Sequence, residues 1–400
     1  MAGNRVLVLN AGSSSLKYQV VDGASGETAA TGLVERIGGD GHLRHTAGDG
    51  THEQDVSVPD HAAALAAAQQ ALRDHGPDLD AEPPVAIGHR VVHGGARFSE
   101  PVLVDDRVLQ AVRNLAPLAP LHNPANLEGI ETALRAFPDV PQVAVFDTAF
   151  HQTLPPYAHT YAVPREWRER HRVRRYGFHG TSFAFVSRRA CEVLGSDPGD
   201  TNLVVLHLGN GASACAVEGG RSVDTSMGLS PLEGLVMGTR PGDLDPALGA
   251  YLSRAAGLDA TAYDKALNHE SGLKGLTGIA DLREVEQRRE SGDADAALAF
   301  DVMVYRLRKY VGAYAAALGR VDAIVFTGGI GEHSAAVRAA VLGRLDVLGV
   351  ELDTAANDDG PAERVVTTPG SRVVGLVVPT NEELEIARAC LTVLGERAGA

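Results

Sequence analysis

Cysteine is scarce in this sequence, no apolar run is long, and positive charge is in deficit. Cys191, Cys215 and Cys390 are its three cysteines; they lie far apart without ligand spacing. That excludes a cysteine metal site and leaves them as small core or helix residues. No apolar run approaches the roughly 20 residues that a membrane-spanning helix needs, and the opening MAGNRVLVLN lacks a signal-peptide layout. The expected location is therefore the cytoplasm. Lys and Arg number 36 against 51 Asp and Glu, a formal net charge of −15. That balance argues against nucleic acid or an anionic membrane as partner, so an anionic ligand must be met by local cations. Low-complexity linkers are absent as well.

What is present is 400 residues at 44% hydrophobic and 22% charged, an ordinary globular composition with material for two cores. Residues 6–10, 85–88, 143–146, 203–208, 322–327 and 373–378 are short β-branched apolar runs that read as buried strands. Helical patterns lie between them. In PANLEGIETALRAF, Asn123 is placed as the cap and Pro124 in the first turn, with Leu127, Ile130, Leu134 and Phe137 on one face. Phe300 to Leu318 reads as a long core-facing helix. The fold class is α/β.

VLVLNAGSSS (6–15) resembles LVVLHLGNGAS (203–213). Each is an apolar strand, a Gly turn with small polar residues, a second short strand, and a further Gly turn. Such hairpin tips present backbone N–H groups and hydroxyls to an anion. One Gly/Ser turn alone would merely join strands. A pair at matching places in two halves points to a duplicated fold that binds phosphates. GSSSLK is not a P-loop, because it lacks the second Gly, Tyr18 follows Lys17, and a strand follows rather than a helix. A third cluster, Thr327-Gly328-Gly329-Ile330-Gly331, follows a buried strand and opens a helix, suiting a loop against adenosine.

Charged and imidazole side chains recur at strand ends and in Gly-rich loops, where α/β proteins build their sites. Arg90 is placed just past a strand end, with His93 before a double-Gly turn. His122 precedes a helix, Asp147 ends a strand, and His179 and Arg240 sit in Gly-flanked loops.

Taken together, LNAGSSSLKY, GHRVVHGG, APLHNP, FDTAFH, YGFHGTS, HLGNGAS, DTSMG, PLEGLVMGTR, FTGGIGE and PTNEELEIAR resemble the acetate kinase family in order and spacing, over nearly the whole chain. The resemblance implies a two-domain, duplicated actin-like (ribonuclease H-like) fold of the acetate and sugar kinase/Hsp70/actin superfamily, with the active-site cleft between the domains. Residues 1–150 plus 384–400 would form the N-terminal domain, and 151–383 the C-terminal domain with the dimerisation surface. It implies Mg²⁺-dependent, reversible transfer of the ATP γ-phosphoryl group to acetate, giving acetyl phosphate and ADP, by a cytoplasmic homodimer.

Carried over residue by residue, Asn10 and Glu382 would hold Mg²⁺ (Mn²⁺ as an alternative), and Ser13, Ser15 and Lys17 would line the first phosphate hairpin. Arg90, Arg240, His179 and His122 would act on the carboxylate and phosphoryl groups, with Asp147 organising the Arg and metal cluster. Val92, Leu121, Phe178 and Pro231 would form a small acyl pocket. The nucleotide would meet His207, Leu208, Gly209, Asn210 and Gly211, then Asp281, Leu282 and Arg283. Gly328, Gly329, Ile330, Gly331 and Glu332 would complete that site. The sequence departs from the family pattern at Phe183, where His is usual after GTS, at Leu229-Ser230 before PLEG, and at Pro241 after MGTR; the second bears on acyl preference. A propionate or butyrate kinase is the near alternative. An ATPase of the actin or chaperone type is the distant one, and the cationic cluster speaks against it.

Overall fold

Strands in the first third of the chain alternate between fully buried and half-buried patterns, and that difference sets their place in the sheet. This computed structural model describes residues 4–48 and 50–398. β1 (Arg5–Ala11) buries Val6, Leu7, Val8 and Leu9 in succession, as a strand covered on both faces requires. β2 (Ser15–Asp22) pairs antiparallel with β1, and β3 (Thr28–Glu35) with β2. β4 (Gly39–Ala47) and β5 (Gly50–Val58) continue the meander; β5 is polar and largely exposed at the sheet edge. On the other side of β1, β6 (Ala86–Val91) and then β8 (Gln142–Phe146) are parallel, and β7 (Val102–Leu103) caps the edge antiparallel to β8. The order is β5-β4-β3-β2-β1-β6-β8-β7.

The second sheet repeats this plan. β9 (Asn202–Leu208), β10 (Ala212–Glu218) and β11 (Arg221–Thr225) form an antiparallel meander. β12 (Ala323–Thr327) and β14 (Val374–Val377) run parallel beyond β9, with β13 (Arg364–Val365) antiparallel at the edge. Its order, β11-β10-β9-β12-β14-β13, matches β3-β2-β1-β6-β8-β7 strand for strand and direction for direction. The fold is a duplication, with β4 and β5 added to the first copy.

The chain divides into two units, Met1–Phe150 with Asn381–Ala400, and His151–Thr380. The return to the first unit falls at 380/381 rather than 383/384, because the terminal helix begins at Glu382 and packs on β1, β2, β6 and β8. Of the N-terminal assignment, residues 1–3, 49 and 399–400 lie outside the described residues. Gly88 permits this packing: a Cβ there would lie 2.5 Å from Ile386 Cγ2 and 2.9 Å from Cys390 Sγ. All three cysteines are buried and free. The long helix Ala294–Leu318 buries Phe300, Met303, Val304, Leu307 and Val311 in the second unit. Among the described residues no helix is long and apolar enough to cross a membrane.

Candidate active site

In the first unit, the polar groups gather at the carboxyl ends of β1, β6 and β8. Arg90 is the penultimate residue of β6, not just past its end. Its guanidinium forms a fork on Asp147, with Nε donating to Oδ1 at 3.0 Å and Nη2 to Oδ2 at 2.6 Å. Asp147 follows β8 and is only 1% exposed. Burial works to lower the Arg90 pKa, but Asp147 and Glu382 raise it and prevail, so the cation is locked. Glu382 Oε2 lies 3.8 Å from Arg90 Nε.

Asn10 is the penultimate residue of β1, opposite Lys17 in the β1–β2 register. Lys17 pairs with Glu383, beside Glu382. Asn10 and Glu382 therefore bring an amide and a carboxylate oxygen to the same end of the sheet, a donor set of the hard oxygen type that Mg²⁺ takes. The residues fit the ion. Ser13 is exposed and Ser15 half-buried in the hairpin turn, whose backbone is fixed by His61 Nε2 bonding to the Gly12 carbonyl at 2.8 Å.

Asn123 is not the helix cap. It is the first residue of the helix Asn123–Ala136, with His122 at the cap position. The Asn123 side chain instead accepts from His93 N and donates to His93 O. Asn126, one turn on, accepts from Val92 N at 3.0 Å and donates to Ala11 O at 2.7 Å. These two buried amides tie the segment after β6 to the end of β1. The sequence offered no signal for them beyond two polar residues on the helix's first turn. His122 is exposed, Val92 half-buried, and Leu121 50% exposed at the same helix start.

In the second unit, His179 caps the helix Gly180–Leu194 with φ of 57°. A left-handed non-glycine residue is held there only by its surroundings. His179 Nδ1 bonds Ser213 Oγ at 2.9 Å, and its ring stacks on His207 at 4.4 Å. His207 Nδ1 in turn bonds Ser182 Oγ. Arg240 donates from Nη1 to the Pro231 carbonyl at 2.7 Å. Burial lowers its pKa, and among the described residues no carboxylate pairs with it. The two converge on the tip of the β9–β10 hairpin: a Cβ on Gly211 would lie 2.6 Å from Arg240 Nη2 and 3.7 Å from His179 Nε2. Phe178 is buried, and Pro231 half-buried. Phe183 is fully buried and packs edge-on to His151 and His207.

A cavity of about 450 Å³ lies in this unit, within the range of small-ligand sites. Gly209, Asn210, Asp281, Leu282, Arg283, Gly329 and Ile330 line it, together with Ala280, Glu286, His333 and Ser334, which the motifs did not mark. Asp281 also caps the helix Leu282–Glu290 by accepting from Arg283 N. His207, Leu208, Gly211, Gly328, Gly331 and Glu332 do not line the cavity. Gly328 (φ +75°) packs against the Leu208 backbone, and Glu332 Oε1 accepts from Gly328 N at 2.9 Å and Thr380 N at 3.2 Å. Gly328 and Glu332 shape the loop whose neighbours Gly329 and Ile330 line the cavity.

The duplicated strand plan defines an actin-like α/β fold, and the second unit carries a cavity of small-ligand size beside it. The chain belongs to the acetokinase family, whose model matches residues 5–388. It is 57% identical over 388 residues, 96% of this chain and 98% of the relative, to an acetate kinase of Leifsonia xyli subsp. xyli. The Porphyromonas gingivalis acetate kinase crystal structure superposes with a TM-score of 0.93 at 43% identity, covering 98% and 99% of the two chains. A propionate kinase from Francisella tularensis gives 0.91 at 41% identity, covering 96% and 98%.

Proposed function

We propose that this chain transfers the γ-phosphoryl group of ATP to acetate, reversibly, forming acetyl phosphate and ADP. One observation carries the reading: a half-buried Arg240 without a carboxylate partner among the described residues, beside His179, at the tip of a phosphate-type hairpin. A partly desolvated cation with only a carbonyl partner is stabilised by binding an anion. An acetate oxygen attacks the γ-phosphorus as the bond to the ADP oxygen breaks. The nucleophile is already an anion, so no general base is needed, and positioning with charge neutralisation lowers the barrier. Arg90, oriented by Asp147, and Arg240 hold carboxylate and phosphoryl oxygens. His179 donates to a phosphoryl oxygen in the transition state, with His122 in support. The cavity holds adenosine, and Ser13, Ser15 and Lys17 hold phosphate.

Asn10 and Glu382 would hold Mg²⁺, which when bound neutralises phosphate charge. Val92, Leu121, Phe178 and Pro231 are the acyl-pocket residues of this reading, and a homodimer in the cytoplasm, joined through the second unit, is its assembly. The likeness to the Francisella enzyme favours propionate as a second substrate, since one methylene changes discrimination by only about 1–3 kcal/mol. Hydroxylamine trapping of acyl phosphate is the test. Acetate-dependent hydroxamate, lost by at least about a hundredfold in Arg240→Ala, is expected. ATP turnover indifferent to acetate would overturn the reading in favour of an ATPase.

A further inference from the structure

The loop that carries Pro231 and Arg240 is fastened by a half-buried polar cluster to which the reaction assigns no role. Arg175 Nη1 donates to three successive carbonyls, Thr225 O at 2.9 Å, Ser226 O at 3.0 Å and Met227 O at 3.1 Å. Its Nη2 donates to Glu233 Oε1 at 2.5 Å. The other Glu233 oxygen accepts from the Tyr161 hydroxyl, which itself accepts from Leu229 N at 3.1 Å. Tyr161, Glu233 and Arg175 thus close a ring of contacts around residues 225–233. Gly228 lies inside it, where any Cβ would strike Glu233 Oε2 and the Tyr161 hydroxyl.

The backbone ties this ring to His179 as well. Tyr176 N donates to Gly228 O at 3.0 Å, only three residues before His179. On the other side Pro231 O receives Arg240 Nη1. A guanidinium with five donors and a fixed plane suits such bracing, and an ammonium would not reach three carbonyls and a carboxylate together. Arg175 remains charged: burial opposes this, but Glu233 and Tyr161 outweigh it.

We infer that Tyr161, Glu233 and Arg175 are positioning residues that fix the Pro231 carbonyl, and through it the Arg240 guanidinium, for the acyl acceptor. The inference rests on the proposed role of Arg240. Loosening the ring lets Pro231 and Arg240 shift while the cavity lined by Asn210, Asp281 and Ile330 stays intact. Acceptor binding suffers, and nucleotide binding does not.

The test uses the full chain with Glu233→Gln, Tyr161→Phe, Arg240→Lys and the double variant Glu233→Gln/Arg240→Lys. KM for acetate, KM for ATP, kcat, and ADP affinity by calorimetry are measured for each. We expect Glu233→Gln to raise KM for acetate between about tenfold and a hundredfold, with ADP affinity unchanged. Its effect should shrink to about twofold or less in the Arg240→Lys background, because residues acting through one another are not additive. Tyr161→Phe removes one hydroxyl without leaving a charge unpaired, and carries the test if Glu233→Gln does not fold. An acetate KM unmoved by Tyr161→Phe and Glu233→Gln, or an equal loss of ADP affinity, overturns the inference. An Arg240→Lys variant with normal acetate kinetics would instead sink the Arg240 assignment itself, so the two failures are distinguishable.

Discussion

At the scale of single residues, Arg90 in the first unit and Arg240 in the second differ in their partners. Arg90 is paired through both forks to a buried carboxylate, whereas Arg240 has only a carbonyl. In the proposed reading the first is an oriented cation and the second binds an anion. Asp147→Asn separates orientation from proton transfer. It replaces one acceptor facing Arg90 with a donor, which should cost about 2–3 kcal/mol of stability in a site that is nearly but not fully enclosed. The kcat/KM for acetate should fall by roughly two orders of magnitude as Arg90 loses its fixed angle. The shape of the pH–rate profile should remain, because Asp147 orients and does not exchange a proton with substrate. Loss of the acidic limb of that profile would identify Asp147 as a base instead. Most single residues of the site were readable as strand-end or loop positions. Asn126 and Tyr161 were not, since each acts by hydrogen bonds to backbone far away in the sequence, Ala11 and Val92 for the first and Leu229 for the second, and no local pattern records such a partner.

At the scale of elements, the apolar runs marked the strands that are buried on both faces. β4 and β5 carry no continuous apolar run because their register comes from pairing, and the outer strand exposes Thr51, Glu53, Gln54 and Asp55 to solvent. The helix at 123–136 was legible, but its cap was not: Asn123 fits a capping pattern, and a tertiary partner at His93 claims its side chain. The terminal helix makes a prediction at this scale. Gly88→Ala puts a methyl into Ile386 and Cys390, so the helix must move and carry Glu382 with it. Overpacking of this kind costs about 1–3 kcal/mol, read as a lower urea midpoint. Half-saturating Mg²⁺ should rise several-fold while ADP affinity in the second unit is kept. Burial pushes the Cys390 thiol pKa up to about 12, which keeps it inert; in the variant its reaction with a disulfide reagent should accelerate. An unchanged Cys390 rate and midpoint would show that the helix absorbs the methyl without moving.

At the scale of the whole molecule, the duplication means that the same strand plan supports different chemistry in each copy. The resemblance between VLVLNAGSSS and LVVLHLGNGAS carried that symmetry in the sequence, because both hairpins need the same buried strand and small-residue turn. Each unit also encloses a histidine whose charging is strongly opposed by burial. His89 sits in the first sheet, bonded to Gln142 at 2.6 Å, and burial lowers its pKa to about 4 despite that bond. His151 lies in the second unit between Ser222 Oγ and the Phe178 carbonyl, and burial likewise lowers it to about 4. In the unfolded chain both titrate near 6.5. Between pH 6.5 and 4 the unfolded state therefore binds more protons than the folded one. The stability these histidines contribute is complete above about pH 6.5 and is lost as pH falls toward 4, by about 2 kcal/mol each at pH 5. Urea unfolding at pH 7.5, 6.5 and 5.0 measures the decline, and His89→Gln keeps a polar side chain at Gln142 while removing one titrating ring. The variant should be less sensitive to acid than the parent over this interval. An identical pH dependence in the two would mean that carboxylate protonation alone drives the acid loss, and that His89 takes up its proton in the folded chain.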